Sequence, residues 1–311
     1  MTVKEKILDL LYGGKITQRE LCSRIGLSRS RVSEILGEME RDRLITRERV
    51  SDRTVIVSLN EENLLRIGIL RSSEYAPVVL ALENMPRHIL WNIKVYDNSL
   101  EALKDLIIGG LDIVASPVIS AFFFNLIDEN VKPVAGIASG GSGMLKRNDK
   151  GVLGTTPLSK MERESRDRKN YKLTYFNNIE SLIRSYSEGK IDAASVWEPY
   201  LTKYGGEKKA PEEICCSLIT YRNKWKSLEK FLEEYKNAVC SMEDQARRKE
   251  ASLLLSKIIG EDYNLILKSL DSYKFSISID KEDVRRQINA MGIPESGKID
   301  EFLRRYNEIS I

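Results

Sequence analysis

The chain has 311 residues, of which 42% are hydrophobic and 31% charged, and its 49 Lys and Arg residues nearly balance 46 Asp and Glu residues. This composition predicts a folded chain of two or more domains and argues against intrinsic disorder. Lys4, Glu5, Lys6 and Asp9 interrupt any apolar run of the kind found in signal peptides, and no stretch approaches the roughly 20 apolar residues of a membrane helix.

The four cysteines are Cys22, Cys215, Cys216 and Cys240. Their spacing is neither that of a metal site nor that of a dense disulfide framework, which is typical of a reducing compartment. We therefore expect a cytoplasmic protein without a membrane partner, metal or cofactor. The adjacent pair is expected to be two buried reduced thiols, with a redox-active pair as the alternative.

The excess positive charge lies in the N-terminal fifth of the chain. Residues 1–59 carry 12 Lys and Arg against 9 Asp and Glu, whereas the remaining residues are balanced. A basic surface of this kind favours a polyanionic partner at that end.

Apolar spacing in the same segment predicts three helices. The first, of about ten residues, ends at Gly13-Gly14. Thr17 and Glu20 form a capping-box pattern that opens a short helix ending at Gly26. Ser28 then caps a longer helix with one apolar stripe, which consists of Val32, Ile35, Leu36 and Met39.

The order helix, turn, helix is followed by a predicted β-hairpin, residues 45–49 and 54–59. The first turns of a recognition helix contact bases and phosphates, and a hairpin in this position is a wing that reaches the phosphate backbone or the minor groove. The predicted DNA-contacting residues are Thr17, Ser28, Arg29, Ser30, Arg31, Ser33, Arg47, Arg49 and Arg53. The alternative is a packed helical segment whose arginines only solvate its surface.

Residues 1–60 resemble winged helix-turn-helix domains of the MarR type. The resemblance implies double-stranded DNA as a partner. We expect a homodimer that presents two winged helices to an operator.

An internal repeat marks the rest of the chain. At an offset of 80 residues, "WNIKVYDNSLEALKDLIIGGLDIVAS" (91–116) aligns without a gap on "YKLTYFNNIESLIRSYSEGKIDAASV" (171–196). Each copy reads strand, Asn-initiated helix, Gly stop, strand, which is typical of a right-handed crossover in a parallel sheet buried on both faces. Two copies predict two similar lobes.

"GKIDAASVWEPY" (189–200) resembles a segment of the periplasmic binding proteins for aliphatic sulfonates, nitrate and thiamine-precursor pyrimidines, and "APVVLALE" and "GGLDIVASPV" resemble others. The resemblance covers residues 66–311 and implies an α/β, two-lobed type II periplasmic-binding-protein-like domain after the winged helix. Lobe one is expected at about 66–145 and 216–311, and lobe two at about 146–215. "GTTPLSK" replaces the Gly-Ser loop usual at the start of lobe two, so the ligand specificity does not carry over.

Ligands of open α/β sheets bind beyond the carboxyl ends of the strands, which predicts a small-molecule effector in a cleft between the lobes. The candidate ligand contacts are Arg71, Ser72, Ser73, Tyr75, Ser116, Ser139, Gly140, Ser142, Thr155, Thr156, Trp197 and Glu198. For several of them a structural role is the alternative. Trp197 and Glu198 could fix a hinge, Thr155 and Thr156 could cap a helix, and Arg71 could form a surface salt bridge.

We expect a ligand-responsive transcription regulator and not an enzyme, because the only histidine, His88, lies away from the predicted strand ends and no common catalytic motif occurs. Two alternatives stay open. One is an enzyme similar to those that synthesise the thiamine pyrimidine, although "EICCSL" is not their cysteine-rich loop. The other is a regulator whose binding-protein fold serves only for oligomerisation.

Overall fold

The computed structural model describes residues 2–208, 213–221, 225–293 and 297–304. They form two compact units. Unit one consists of residues 2–65, 85–92 and 225–228, and unit two of the remaining described residues. Residues 209–212, 222–224, 294–296 and 305–311, which the sequence analysis assigns to the two lobes, lie outside the described part of the chain.

Unit one begins with three helices and a three-stranded sheet. Its elements are α1 (Val3–Tyr12), β1 (Ile16–Thr17), α2 (Gln18–Ile25), α3 (Arg29–Arg41), β2 (Ile45–Ser51) and β3 (Thr54–Leu59). The sheet has the order β1-β3-β2, with both pairings antiparallel. This is the predicted winged helix-turn-helix.

The caps of α2 and α3 follow from short polar side chains. The Thr17 hydroxyl accepts a hydrogen bond from the Glu20 backbone amide, and the Ser28 hydroxyl accepts one from the Arg31 backbone amide. The reciprocal half of the predicted capping box is not used at α2, since the Glu20 carboxylate accepts a hydrogen bond from Arg24 instead. The predicted apolar stripe of α3 is fully or almost fully buried and forms the core of the unit with α1 and the sheet.

Residues 85–92 pack within unit one, although the sequence analysis assigned them to the binding-protein domain. Leu90 belongs to the core of the winged helix. The Tyr12 hydroxyl at the end of α1 donates to the Trp91 carbonyl at 3.0 Å. This contact between segments 79 residues apart cannot be read from local spacing.

Unit two alternates strands and helices and ends in a helical tail, and three of its elements begin in unit one. Its first elements are β4 (Leu64–Leu70), α4 (Ala76–Glu83), β5 (Leu90–Tyr96), α5 (Ser99–Ile107), β6 (Ile113–Pro117), α6 (Val118–Ile127), β7 (Lys132–Gly140) and β8 (Ser142–Lys146). Then follow β9 (Gly151–Thr155), α7 (Lys160–Arg166), β10 (Tyr171–Tyr175), α8 (Ile179–Ser187), β11 (Ala193–Trp197), α9 (Tyr200–Tyr204), β12 (Glu207–Lys208) and β13 (Ile214–Thr220). The tail comprises α10 (Trp225–Ser241), α11 (Gln245–Ile259), α12 (Tyr263–Ser269), β14 (Tyr273–Phe275), α13 (Lys281–Ala290) and α14 (Gly297–Arg304). The three elements that begin in unit one are β4, β5 and α10.

These strands form two sheets, one in each lobe. Lobe one has the order β14-β7-β13-β6-β4-β5 and lobe two the order β10-β9-β11-β8-β12. The chain leaves the first sheet after Gly140 and returns at Ile214, whereas the sequence analysis placed these crossings at about 145 and 215. Both sheets are mixed and not purely parallel, because β13 runs antiparallel to β6, and β8 antiparallel to β11.

The two lobes repeat one arrangement of strands. The order β13-β6-β4-β5 in lobe one matches β8-β11-β9-β10 in lobe two, so the repeated strand-helix-strand segments occupy equivalent places. Asn98 caps α5 and Asn178 caps α8. After each helix a glycine, Gly109 or Gly189, adopts the left-handed conformation, with φ of 85° and 72° respectively.

The repeated aspartates also have one role. The Asp112 carboxylate accepts a hydrogen bond from the backbone amide of Arg66 at 2.8 Å. The Asp192 carboxylate accepts one from the backbone amide of Val152 at 2.8 Å. Each bond joins the start of the last strand in the repeat to the neighbouring strand of its sheet. The matching Asn, Gly and Asp therefore reflect one structural unit used twice.

Replacement of Asp192 by Ala should lower the urea concentration at the midpoint of unfolding. It should also make the unfolding free energy depend less on pH in the acid range. Hydrogen bonds from the Val152 amide and the Asn148 side chain hold the pKa of Asp192 below its ordinary value. Its stabilising contribution is therefore complete above the ordinary pKa, about 4, and is lost as the pH falls through the lower folded value. Urea titrations from pH 7 to pH 2.5 measure this.

Asp149→Ala is the matched control, since this carboxylate is 87% exposed in the same region and pairs only at the surface with Lys146. An Asp192→Ala protein with the acid profile of the native chain would contradict the assignment.

Candidate functional site

A cavity of about 350 Å³ lies between the two lobes of unit two. Lobe one contributes residues from the ends of β4, β5 and β6 and from the start of β13, and lobe two contributes the segment before α7, Asn177 and Trp197. The cavity thus lies at the carboxyl edge of strands in both sheets, where open α/β sheets bind their ligands.

Four of the predicted ligand contacts line this cavity: Ser72, Tyr75, Thr156 and Trp197. The Trp197 indole N–H donates across the lobes to the Arg71 carbonyl at 2.9 Å, which fixes the ring in the cavity wall. The Ser72 hydroxyl accepts a hydrogen bond from the Glu74 backbone amide, and the Thr156 hydroxyl donates one to the Ser159 hydroxyl. Their side chains are therefore oriented by contacts within the protein.

Arg71 and Glu198 are not among the residues that line the cavity. The Arg71 guanidinium donates to the Ile259 carbonyl at 2.8 Å and lies 3.8 Å from the Asp97 carboxylate. The Glu198 side chain is completely buried, where it accepts from Thr202 and Ser272 and pairs with Lys208 at 3.2 Å. Both side chains are thus held by protein partners, as in the structural alternatives, and ligand contact by Arg71 or Glu198 stays a prediction.

The other six predicted contacts also lie outside the cavity lining: Ser73, Ser116, Ser139, Gly140, Ser142 and Thr155. Ser73, Ser116 and Thr155 are completely buried. The Ser142 hydroxyl donates to Glu164 at 3.3 Å, within lobe two. Ser73, Ser116 and Thr155 each adjoin a lining residue, whereas no residue from 118 to 155 lines the cavity, which leaves Ser139, Gly140 and Ser142 away from it.

The N-terminus of α5 forms a part of the wall that the sequence analysis missed. Residues 97–101 and Lys104 line the cavity, with Asn98 as the cap of the helix. A signal was present in the sequence, since "YDNS" closes a strand and opens a helix at the carboxyl edge of the sheet. Asn177, which precedes the equivalent cap of α8, lines the cavity from lobe two.

Glu74, Cys215 and Cys216 form a buried group in the lobe-one wall. A Glu74 carboxylate oxygen and the two Sγ atoms all lie within 4.8 Å of one another. Burial raises the pKa of Glu74 to about 7, although contacts with Cys216 and the charge of Lys160 oppose this. Burial likewise raises the pKa of the Cys216 thiol well above its ordinary value.

The charged residues of the described cavity lining are mostly acidic. They are Glu74, Asp97 and Glu101, against Lys104. A carboxyl group in a wall of this kind disfavours a buried anionic ligand and favours a neutral or cationic one.

In unit one, the predicted recognition helix exposes Arg29, Ser30 and Arg31 in its first turn, and Ser33 is half-buried. The Arg31 guanidinium pairs with Glu34 at 2.6 Å, but both side chains are more than half exposed, so this pair is easily exchanged for a phosphate. The caps Thr17 and Ser28 use their hydroxyls for the helix amides.

The wing residues differ from one another. Arg49 and Arg53 are exposed at the hairpin, whereas Arg47 is bound to Glu40 of α3 through two nitrogens, at 2.9 and 2.5 Å. Arg47 therefore joins the wing to the recognition helix and is less available for phosphate contact than the sequence analysis assumed.

Comparison with known proteins agrees with this division of the chain. Residues 6–53 match the model of the MarR family. No curated protein matches the chain significantly. Among the residues that the structure describes, no helix is both long and apolar enough to span a bilayer.

Many solved structures share the fold of the larger part. The ligand-binding component of an ABC-type import system from Staphylococcus aureus, with zinc bound, is 16% identical with a TM-score of 0.66, over 80% of this chain and 99% of that one. The periplasmic nitrate-binding protein NrtA from Synechocystis is 12% identical with a TM-score of 0.65, over 79% and 86%. The periplasmic aliphatic sulphonate binding protein SsuA from Escherichia coli is 16% identical with a TM-score of 0.57, over 77% and 91%. The chain joins a MarR-family helix-turn-helix to a fold that it shares with the binding proteins of ABC importers.

Proposed function

We propose that the protein is a ligand-responsive transcription regulator, in which the winged helix binds double-stranded DNA and the cavity between the lobes binds a small-molecule effector. The observation that carries the proposal is the cavity of about 350 Å³, lined from both lobes, in the same chain as a MarR-family segment. A ligand that contacts both lobes stabilises their closed arrangement and so has a differential affinity for two states.

The recognition surface supports the DNA-binding half of the proposal. Two exposed arginines occupy the first turn of α3, where the helix dipole adds to their attraction for phosphate. The proposal includes a homodimer, because two recognition helices read a palindromic operator at a spacing of one helical turn.

The effector in this proposal is a neutral or cationic small molecule. Two of the similar structures bind nitrate and sulphonates, both of which are anions. Here the described lining holds three carboxyl groups and one lysine, and the Arg71 guanidinium, which lies 3.8 Å from the Asp97 carboxylate, donates to the Ile259 carbonyl. These observations favour a ligand class different from that of the two named proteins.

A binding role and not a catalytic one is part of the proposal. The only histidine, His88, is not among the described residues that line the cavity. Burial raises the pKa of the Cys216 thiol well above its ordinary value, which opposes the thiolate form that a nucleophile needs near neutral pH.

The test has two parts. Selection of bound sequences from sheared genomic DNA should recover a palindromic operator, and sedimentation of the complex should show two chains per duplex. Thermal unfolding against panels of amines, amino acids, sugars, purines, pyrimidines, sulfonates and nitrate should identify a neutral or cationic compound that stabilises the chain. If no preferred DNA sequence is recovered, the proposed role as a transcription regulator is contradicted. If only sulfonates or nitrate stabilise the chain, the proposed neutral or cationic effector is contradicted.

A further inference from the structure

The start of β13 departs from regular strand geometry at the two adjacent cysteines. Successive side chains of a strand point to opposite faces of the sheet. Here the pairing of β13 with β7 shifts register between Ile214 and Cys216 and again between Cys216 and Ser217. Such bulges change the direction of a side chain. Both cysteines consequently line the cavity, with their Sγ atoms 3.5 Å apart.

Glu74 completes a group of three potential metal ligands from two separate segments. It lies in a short turn between β4 and α4, and one of its carboxylate oxygens is within 4.8 Å of both Sγ atoms. Two thiolates bound to one tetrahedral zinc ion at about 2.3 Å are about 3.8 Å apart, close to the separation found here. The three groups thus stand at distances that one ion can bridge with small side-chain rotations.

One oxygen of the Glu74 carboxyl group lacks the hydrogen-bond partner that a buried polar atom normally has. Its side chain is 3% exposed, it lines the cavity, and Oε1 accepts no hydrogen bond. Most buried polar atoms in native proteins have a hydrogen-bond partner, and one without a protein partner indicates a position where a water, an ion or a ligand binds. Packing of two inert thiols would not require a carboxylate beside them.

We propose that Glu74, Cys215 and Cys216 bind one thiophilic divalent cation, zinc being the type, in the wall of the cavity. Two sulfur ligands select a soft or borderline metal over magnesium or calcium, and a third oxygen ligand suits zinc. Binding releases the two thiol protons to solvent as the two metal–sulfur bonds form.

The site leaves one coordination position open toward the cavity. Three protein ligands and an open fourth position characterise zinc sites that accept an exogenous molecule. The Tyr75 hydroxyl lies 3.5 Å from the Cys216 sulfur, where it can donate to a bound thiolate. The spacing of the cysteines predicts no metal site, since it carries no information about Glu74, which is 141 residues from Cys215.

Cobalt(II) provides the direct test, because thiolate ligation produces an intense near-ultraviolet band and tetrahedral coordination a visible one. The full-length chain is stripped with a chelator, kept reduced, and shown to have four titratable thiols. We expect one equivalent of cobalt to produce both bands, and zinc to displace it. Cys215→Ser and Cys216→Ser should each weaken binding at least 100-fold, and Glu74→Gln about tenfold with the sulfur band retained.

The matched control is the double variant Cys22→Ser/Cys240→Ser, which removes the two cysteines that do not line the cavity. It should bind cobalt as the native chain does. Thermal melting checks that each variant folds, and Glu74→Gln keeps both thiols if a serine variant does not. Absence of the sulfur band in the fully reduced native chain would overturn the proposal, as would unchanged affinity in folded Cys215→Ser or Glu74→Gln. The measurement uses no DNA, so its outcome is independent of the proposed regulatory function.

Discussion

Replacement of Arg29 and Arg31 by alanine is expected to weaken operator binding about 100-fold at moderate salt, since each phosphate or base contact contributes about 1 to 3 kcal/mol. Both side chains are exposed in the first turn of α3, and neither contributes to the core of unit one. The thermal unfolding temperature should change little. Fluorescence anisotropy with labelled operator, at several salt concentrations, gives both the affinity and the salt dependence.

The salt dependence distinguishes a direct contact from a general loss of charge. Loss of two phosphate contacts lowers the slope of log affinity against log salt by about two. Lys4→Ala is the matched control, because Lys4 is a cation of the same unit that pairs with Glu38 and Asp42. If the double arginine variant retains native affinity, the recognition surface lies elsewhere.

Replacement of Gly141 by Ala is expected to cost more than about 3 kcal/mol of unfolding free energy. Gly141 connects the two sheets, and its φ of +66° already disfavours other residues. A Cβ there would lie 1.9 Å from a ring carbon of Tyr273. The ring cannot move freely, because its hydroxyl is hydrogen-bonded to Ser72 in the cavity wall.

Gly109→Ala separates the clash from the backbone strain. Gly109 has a similar φ of +85°, but a Cβ there meets nothing within 4 Å. This control should cost only about 1 kcal/mol, the strain of the left-handed conformation. Urea unfolding of both variants measures the difference, and equal costs would show that the Tyr273 ring does not restrict this position.

The winged helix and the repeat were predictable because their signals are local or periodic. Ser28 and Asn98 are short polar residues directly before apolar-periodic segments, and each caps its helix as expected. The offset of 80 residues brought together Asp112 and Asp192, which make the same strand-to-strand hydrogen bond. A pattern that recurs at one register reports the fold without any knowledge of distant contacts.

The cavity wall was less predictable because its residues are selected by tertiary contacts. Arg71 directly follows a strand, where a residue that binds an anionic ligand is expected. Its guanidinium instead donates to the carbonyl of Ile259 in the helical tail. Cys215 and Cys216 face the same cavity only because β13 is bulged, which a strand period of two does not predict. The end of a strand predicts roughly where a ligand site lies. Which side chains face that site depends on packing against segments that are distant in the sequence.

Coupling between the cavity and DNA is measured as operator affinity with and without an effector, in the native chain and in a variant with a blocked cavity. Leu100→Trp is chosen because Leu100 lines the cavity at the start of α5, and Leu126→Trp on the exposed side of α6 is its control. We expect an effector to change operator affinity at least fivefold in the native and Leu126→Trp chains, a coupling of about 1 kcal/mol, but not in Leu100→Trp. An effector response that persists in Leu100→Trp, or operator affinity that no cavity ligand changes in the native chain, would contradict it.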